Sequence, residues 1–201
     1  MTKAELRQVY LKKRTRLSMI EIASSSARIA ELFFENIDLT GVDNIHTFIR
    51  ISKFNEIDTS TIYYPVWRDR PAVRTSAPRS DLATGEIESV LFGPGTELVE
   101  NQWGIREPAS GEVLEPVDID LVIVPLLCFD RLGHRVGYGR GFYDRFLGRC
   151  RRDCQKIGLA YFPPVERVDD VGDHDIQLDM CVTPDAVFKF MKDGREGDRT
   201  S

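Results

Sequence analysis

A glycine-rich loop with arginines around it is the clearest candidate for chemistry in this sequence. An unbroken apolar run, Leu121 to Val124, precedes the loop, and aromatic and leucine side chains at helical spacing follow it. Its glycines stand at alternate positions: Gly137, Gly139 and Gly141. Three arginines surround them: Arg135, Arg140 and Arg145. Glycine lets a ligand approach the backbone N–H groups closely, so a strand, this loop and a helix start together predict an anion site.

The loop matches neither of two common phosphate motifs, because its spacing is not G-x-G-x-x-G and residues 130–145 contain no lysine. On spacing alone, a tight turn between a strand and a helix is about as good an interpretation as a ligand site. The arginines favour a ligand site because their guanidinium groups bind phosphate well. The rings of Tyr138, Phe142 and Tyr143 offer a flat apolar surface for a heteroaromatic group. Asp144, just past the loop, is a candidate ligand for a magnesium ion that bridges phosphates.

A second cluster of charge lies at the start of the chain. Residues 1–16 include one acid, Glu5, and these basic residues: Lys3, Arg7, Lys12, Lys13, Arg14 and Arg16. The whole chain has a net charge of −5, which argues against general nucleic-acid binding. The cluster is therefore either a local anion site or a solvated helix face, and charge alone favours the helix face.

Helices that alternate with short apolar strands indicate an α/β fold. Residues 2–17 are predicted to be helical, and the capping-box pattern from Ser18 to Glu21 predicts a second helix that ends near Asn36. Thr59–Trp67 is expected to be helical at first and then broken by Pro65, with one helical turn at Leu98–Glu100 and loops over residues 101–119. Besides the central apolar run, strands are predicted at Ile45–Ile51, Ala72–Ala77, Ile87–Phe92, Gln155–Tyr161, Cys181–Thr183 and Val187–Phe190.

These elements predict one three-layer α/β domain over residues 1–191, with a largely parallel central sheet flanked by helices. Ligands of such sheets bind at the carboxyl ends of strands, and the glycine loop lies at such an end. Residues 192–201 are polar and charged, so we expect a disordered tail.

The four cysteines predict no metal site, because their spacing lacks a second pair and nearby histidines. Cys128 and Cys181 stand in apolar runs and are expected in the core. No apolar run approaches the ~20 residues of a membrane span, and the charged start of the chain lacks the apolar middle of a signal peptide. We expect a cytoplasmic monomer with reduced thiols and small-molecule partners, without nucleic acid or membrane.

The glycine loop also resembles the signature of a known family. Gly137-Tyr-Gly-Arg-Gly-Phe-Tyr-Asp-Arg145, after Asp130-x-x-Gly133-x-Arg135, is similar to the 5-formyltetrahydrofolate cyclo-ligase (methenyltetrahydrofolate synthetase) signature. Further similar segments follow in chain order: Lys3-x-x-x-Arg7, Glu56-Ile-Asp-Thr59, Trp103-Gly-Ile-Arg-Glu-Pro108, and His174-Asp-Ile-Gln-Leu-Asp179 before Val182-Thr183. The ordered set is more specific than the loop alone and covers the chain to about Met191.

The resemblance implies an enzyme that closes 5-formyltetrahydrofolate to 5,10-methenyltetrahydrofolate, with ATP as co-substrate and Mg²⁺. It implies that the formyl oxygen attacks the γ-phosphate and that nitrogen 10 then displaces phosphate from the formyl carbon. Phosphoryl transfer needs positioning and charge neutralisation rather than a protein nucleophile, which suits a sequence without a convincing nucleophile–base pair.

The resemblance also implies roles for particular residues. ATP would be bound by Lys3, Arg7, Arg135, Gly137 and Tyr143. The folate would contact Ile51, Glu56, Trp103, Tyr138, Gly139, Arg140, Gly141 and Phe142. The residues expected to act on the reacting groups are Arg135, Arg140 and Tyr143, and the magnesium ligands would be Asp144 and Asp179. Two positions depart from the family pattern, since Arg140 replaces a usual glycine and Phe142 a usual tyrosine.

Simpler interpretations stand beside these roles. Trp103 is either core or a pocket wall, and its polar loop favours the wall. Asp130 is expected to cap the turn before Gly133. His174 is expected to be a solvated loop residue, and Glu56 would ordinarily lie at the surface. Two other functions also stay open: a folate or nucleotide sensor without turnover, and a different α/β enzyme such as a sugar-phosphate isomerase.

Overall fold

The fold is described from a computed structural model, which defines residues 1–81 and 84–191. The predicted disordered tail, residues 192–201, lies outside the described residues. The helices of the described residues are α1 (Lys3–Thr15), α2 (Met19–Asn36), α3 (Ser60–Asp69) and α4 (Phe142–Arg149), with short 3-10 helices at Ser52–Phe54 and Pro116–Asp118. Its strands are β1 (Asn44–His46), β2 (Arg74–Asp81), β3 (Glu86–Phe92), β4 (Leu98–Glu100), β5 (Arg106–Pro108), β6 (Val113–Leu114), β7 (Leu121–Pro125), β8 (Cys128–Phe129), β9 (Arg135–Val136), β10 (Gln155–Leu159), β11 (Met180–Val182) and β12 (Val187–Lys189).

The first two helices begin at capping boxes. The Thr2 and Ser18 side chains accept the backbone N–H groups of Glu5 and Glu21, and each glutamate bonds back to the N-cap backbone. These reciprocal bonds satisfy donors that a helix start otherwise leaves free. The predicted starts of both helices are confirmed.

The central sheet of the described residues has the strand order β12-β11-β10-β7-β1-β2-β3-β6. Strands β11, β10, β7, β1 and β2 are parallel, whereas β12 pairs antiparallel with β11, β3 with β2, and β6 with β3. Successive side chains of β7 point to opposite faces of the sheet. Leu121 and Ile123 pack with α2 and α3, whereas Val122 and Val124 pack with α4. The largely parallel α/β sheet flanked by helices is therefore confirmed.

The side of the sheet on which the chain adds its next strand changes between β1 and β7, two neighbouring parallel strands. From β1, the chain passes through α3 to β2 on one side, and from β7 it passes through α4 to β10 on the other. Loops that leave the carboxyl ends of β1 and β7 therefore diverge and leave a crevice between them.

Several local predictions differ from the structure. The helix α3 continues through Pro65, because its buried residues Ile62 and Val66 pack into the core beside α2. The predicted helical turn at Leu98–Glu100 is wrong, since these residues form β4 and pair with β5. The Asn101 side chain accepts the N–H groups of Trp103 and Ile105 and so closes this hairpin turn. The Ile45–Ile51 strand is shorter than predicted, and β2 is longer.

The predicted core positions of Cys128 and Cys181 and the predicted cap at Asp130 are confirmed. Cys128 and Cys181 are buried in the core. Asp130 Oδ1 accepts the N–H groups of Leu132 and His134, which closes the turn at Gly133. No helix within residues 1–81 and 84–191 has the length and apolar character needed to cross a bilayer.

Candidate active site

A cavity of about 780 Å³ opens at the carboxyl ends of β1, β2 and β7. Its walls come from α1, the segment after β1, the β4–β5 hairpin and the glycine loop that leads into α4. The predicted site residues in these walls are Lys3, Arg7, Ile51, Glu56, Trp103, Arg135, Gly137, Tyr138, Gly139, Arg140, Gly141, Phe142, Tyr143 and Asp144. The fold therefore brings all but one of the predicted site residues together from distant parts of the chain.

The glycine loop needs glycine at two of its three alternate positions. Gly139 has φ +93° and Gly141, the N-cap of α4, has φ +68°, which are conformations that side chains disfavour. A Cβ atom on Gly139 would also lie 2.9 Å from the guanidinium of Arg7. Gly137 has open space instead, and its carbonyl accepts a 2.9 Å hydrogen bond from Arg7 Nε. The loop is thus fitted closely against a cation of the first helix.

Two ion pairs link cationic and acidic side chains in the cavity wall. Arg135 Nη2 donates a 2.6 Å hydrogen bond to Oδ1 of Asp144, and Arg135 Nη1 donates to the carbonyl of Ile176. Lys3 Nζ donates to Oδ2 of Asp175. Burial lowers the pKa of Arg135, and the charges of Asp144 and Asp175 oppose that shift. Burial alone would raise the pKa of Asp175, but the bonds from Lys3 and Gly172 outweigh it, and the net pKa lies below its ordinary value.

A buried hydrogen-bonded chain forms another part of the wall. The Tyr138 hydroxyl donates a 2.6 Å hydrogen bond to Glu56 Oε1 and accepts a 2.8 Å bond from Arg14 Nη1. The other carboxylate oxygen, Oε2, accepts the backbone N–H of Ile51 at 2.8 Å. Glu56 is only 3% exposed, so the surface position that its polar loop suggested is wrong. Its oxygens are fixed as acceptors beside the cavity.

A cation–aromatic contact closes the outer side of the cavity. The Arg140 guanidinium lies 4.0 Å from the centre of the Trp103 ring, and Lys53 Nζ donates to the Trp103 carbonyl. Trp103 is partly exposed and lines the cavity, which confirms the wall interpretation over a core position. Arg140 itself is exposed, so its charge can turn toward a ligand at small cost in desolvation.

Tyr143 lies between the cavity and a buried histidine. Its ring packs edge-on against His46, with ring centres 6.1 Å apart. The Tyr143 hydroxyl and His46 Nε2 are both buried without a hydrogen-bond partner among the described residues. Burial raises the pKa of Tyr143 and lowers that of His46 to about 3. Tyr143 is therefore a neutral phenol whose hydroxyl has donor and acceptor capacity for a ligand.

Comparison of the sequence with known proteins shows which family the chain belongs to. The sequence model of the 5-formyltetrahydrofolate cyclo-ligase family matches residues 1–184. The chain belongs to this family. It is 32% identical to the Escherichia coli K12 5-formyltetrahydrofolate cyclo-ligase over 149 residues, which are 72% of this chain and 81% of that protein. The mouse cyclo-ligase is 26% identical over 149 residues, 69% of this chain and 72% of that protein.

Solved structures of the cyclo-ligase family have the same fold. The NMR structure of Aquifex aeolicus 5,10-methenyltetrahydrofolate synthetase matches with a TM-score of 0.80 at 29% identity and covers 100% of this chain and 97% of that one. A 5,10-methenyltetrahydrofolate synthetase from Mycoplasma pneumoniae matches with a TM-score of 0.72 at 26% identity and covers 92% and 99%.

One predicted site residue of this cyclo-ligase family member is not brought to the cavity. Asp179 lies just before β11, at the opposite end of the parallel strands, and its Oδ2 accepts the backbone N–H of Lys156 at 2.8 Å. Lys156 Nζ also lies 4.0 Å from the same oxygen. The predicted pairing of Asp144 with Asp179 therefore needs correction, because Asp179 is directed at the start of β10. Asp175 is the acidic residue of the same sequence segment that lines the cavity.

Sequence patterns missed two charged residues, Asp175 in the cavity wall and Arg14 directly behind it. Asp175 directly follows His174, which is exposed as expected, and no sequence pattern distinguishes it from the other acidic residues nearby. Arg14 was counted in the basic cluster of α1, yet it is 4% exposed. A signal for Arg14 was available, since Leu6, Tyr10 and Arg14 recur every four residues and share the buried face of the helix. No such periodicity separates Asp175 from Asp179 within an irregular loop.

Proposed function

We propose that this chain catalyses the ATP- and Mg²⁺-dependent cyclisation of 5-formyltetrahydrofolate to 5,10-methenyltetrahydrofolate, with release of ADP and phosphate through a phosphorylated formyl intermediate. The observation that carries the proposal is the meeting of α1 cations with the glycine loop in one cavity. Family membership supports this reaction, because the similar proteins are named 5-formyltetrahydrofolate cyclo-ligase.

The cationic wall of the cavity suits the phosphates of ATP. Lys3 and Arg7 reach it from α1, and Arg135 reaches it from β9. Guanidinium groups form paired, charge-assisted hydrogen bonds to phosphate oxygens, and the nearby N-terminus of α4 adds a favourable dipole. We assign Lys3, Arg7, Arg135, Gly137 and Tyr143 to the ATP side, with the Gly137 carbonyl orienting Arg7.

The remaining walls suit a reduced folate. Trp103 and Phe142 supply rings, Ile51 supplies apolar surface, and Glu56 supplies acceptor oxygens for heterocycle N–H groups. The loop residues from Tyr138 to Phe142 then lie between the two substrates. This arrangement would place the formyl group beside the terminal phosphate and remove the entropic cost of bringing them together.

The proposed chemistry proceeds in two steps. The formyl oxygen forms a bond to the γ-phosphorus while the bond from phosphorus to the ADP oxygen breaks. Nitrogen 10 then bonds to the formyl carbon and loses its proton, and the carbon–oxygen bond breaks to release phosphate. Arg135 and Arg140 would neutralise charge on the transferred phosphoryl group, and the Tyr143 hydroxyl would donate a hydrogen bond to it.

The acidic residues of the cavity fit a magnesium ion. Mg²⁺ on a nucleotide uses one or two protein carboxylates, phosphate oxygens and water. Asp144 and Asp175 both line the cavity and supply such carboxylates, whereas no group of three or more metal-binding side chains occurs within the described ranges. When bound, the ion would offset the negative charge of the phosphates, and we assign its protein ligands as Asp144 and Asp175.

The test is a spectroscopic assay for the methenyl product with purified protein and 5-formyltetrahydrofolate. We expect a rise in methenyl absorbance only when ATP and Mg²⁺ are both present, with one ADP formed per product. Binding of both substrates without any absorbance rise would favour the sensor interpretation and overturn the proposal. Omission of ATP, and its replacement by a non-hydrolysable analogue, are the controls.

A further inference from the structure

The last turn of α1 places a buried cation behind the folate side of the cavity. Arg14 is 4% exposed and donates to the Tyr138 hydroxyl and, from Nη2, to the carbonyl of Leu126. Its Nη1 also lies 4.0 Å from Oε1 of Glu56. Arg14 is outside the residues that line the cavity, so any effect on a ligand must pass through Tyr138 and Glu56.

The directions of these hydrogen bonds are fixed by the chemistry of arginine. A guanidinium has only donors, so the Tyr138 oxygen accepts from Arg14 and its single proton is left for Glu56. The N–H of Ile51 donates to the other Glu56 oxygen. Both oxygens are therefore acceptors, which is the pattern of an ionised carboxylate.

A carboxylate buried to this extent requires compensation. Burial raises the pKa of Glu56 above its ordinary value, and the Tyr138 bond, the Arg14 charge, the Ile51 N–H and the Arg50 charge offset only part of that rise. Arg50 is shared with Asp58 at 3.8 Å. The neutral phenols of Tyr143 and Tyr161 also face Glu56 and supply no positive charge. Arg14 is thus the cation that both faces Glu56 directly and orients its hydroxyl donor.

We propose that Arg14 is a positioning residue that keeps Glu56 ionised and orients Tyr138 toward it, so that Glu56 accepts the N–H groups of the folate ring. This inference rests on the proposed function for the identity of the ligand. A protonated Glu56 would present a hydroxyl donor to a ring that also presents donors, and binding would weaken.

The kinetic test compares Arg14→Gln, Arg14→Lys and the matched control Arg16→Gln, which removes an exposed cation from the same end of α1. We expect Arg14→Gln to raise the KM for 5-formyltetrahydrofolate roughly tenfold at neutral pH, the effect of about one charged hydrogen bond, with the KM for ATP little changed. Because the variant raises the pKa of Glu56, this defect should shrink as pH rises. Arg14→Lys should restore most of the affinity.

Equal increases in both KM values, or a folate defect that is the same at every pH, would overturn the inference. If Arg14→Gln does not fold, the kinetic comparison is made with Arg14→Lys, and infrared difference spectra of wild type against Glu56→Gln test without substrate whether Glu56 is ionised, which the inference requires. A carboxylate band at neutral pH supports the inference, and a protonated carboxyl band contradicts it. A wild-type protein without turnover would defeat the proposed function, and the infrared result would still stand.

Discussion

The Arg135 guanidinium donates a 2.6 Å hydrogen bond to Asp144, which stands three residues beyond the last loop glycine. The residue assigned to phosphate and the residue assigned to Mg²⁺ therefore hold each other in place, across the loop on which both substrates would rest. The same carboxylate oxygen also accepts the backbone N–H of Ile176 at 3.3 Å. This ties the glycine loop to the C-terminal segment that carries Asp175.

Arg135→Ala should raise the KM for ATP by more than the KM for the folate. The guanidinium is 8% exposed and lines the cavity on the side that we assign to the phosphates, so its loss should remove a desolvated charge from that substrate. We expect an increase on the order of tenfold to a hundredfold for ATP, measured by steady-state kinetics. Arg149→Ala, an exposed arginine of α4, should leave both constants unchanged. A larger change in the folate constant would contradict the assignment.

Asp144→Asn and Asp179→Asn should separate a metal ligand from a structural carboxylate. Asp144→Asn should lower kcat on the order of a hundredfold and raise the Mg²⁺ concentration needed for half-maximal rate, because a charge next to the phosphates is lost. Circular dichroism should show the native fold.

In Asp179→Asn the carboxylate that accepts the Lys156 N–H is replaced. We expect a decrease of about 1 kcal/mol in the free energy of unfolding, with the Mg²⁺ dependence of the rate unchanged. A strong Mg²⁺ defect in Asp179→Asn would restore the pair that the sequence predicted and contradict the geometry.

Gly139→Ala should impair the site through the backbone and Arg7 together. The residue has φ +93°, and a Cβ atom would lie 2.9 Å from the Arg7 guanidinium, so one of them must move. We expect kcat/KM for ATP to fall on the order of tenfold, the effect of about one lost charged contact. Gly148→Ala is the matched control, since its Cβ meets open space within α4 and should stabilise the helix by about 0.5–1 kcal/mol. Similar activities for the two variants would count against a fitted loop.

His46 should make the protein less stable as pH falls below neutrality. Burial lowers its pKa in the folded state to about 3, against about 6.5 in an unfolded chain. Below about pH 6.5 the His46 imidazole is protonated in the unfolded state but stays neutral in the folded state. The free energy of unfolding therefore decreases progressively until the pH approaches 3. The slope for this one group is about 1.4 kcal/mol per pH unit.

Chemical unfolding of wild type and His46→Gln at pH 7 and pH 5.5 measures this contribution before most carboxylates titrate. Between pH 7 and pH 5.5 the free energy of unfolding should decrease more for the wild type than for the variant, even if the two proteins differ in stability at pH 7. Parallel pH dependences would show that His46 is not held neutral by burial.

The sequence by itself determined the elements whose signals are local. Capping boxes fix the starts of α1 and α2, an apolar β-branched run makes β7, and glycines at positive φ shape the loop before α4. Each of these depends on contacts within a few residues, so residue type and spacing suffice to predict it. The family signature then indicated most of the cavity wall.

Only the tertiary structure decided which distant charges meet. Whether Asp175 or Asp179 faces the cavity depends on the path of an irregular segment beside β10 and α1, and both residues have the same chemistry. Burial of Arg14 and Glu56 likewise depends on α1 packing against the loop that follows β1, a contact between segments about forty residues apart. A buried charge is stable only when it is paired or hydrogen-bonded. The partners of Arg14 and Glu56 lie far away in the sequence, so their burial and pairing depend on the assembled fold.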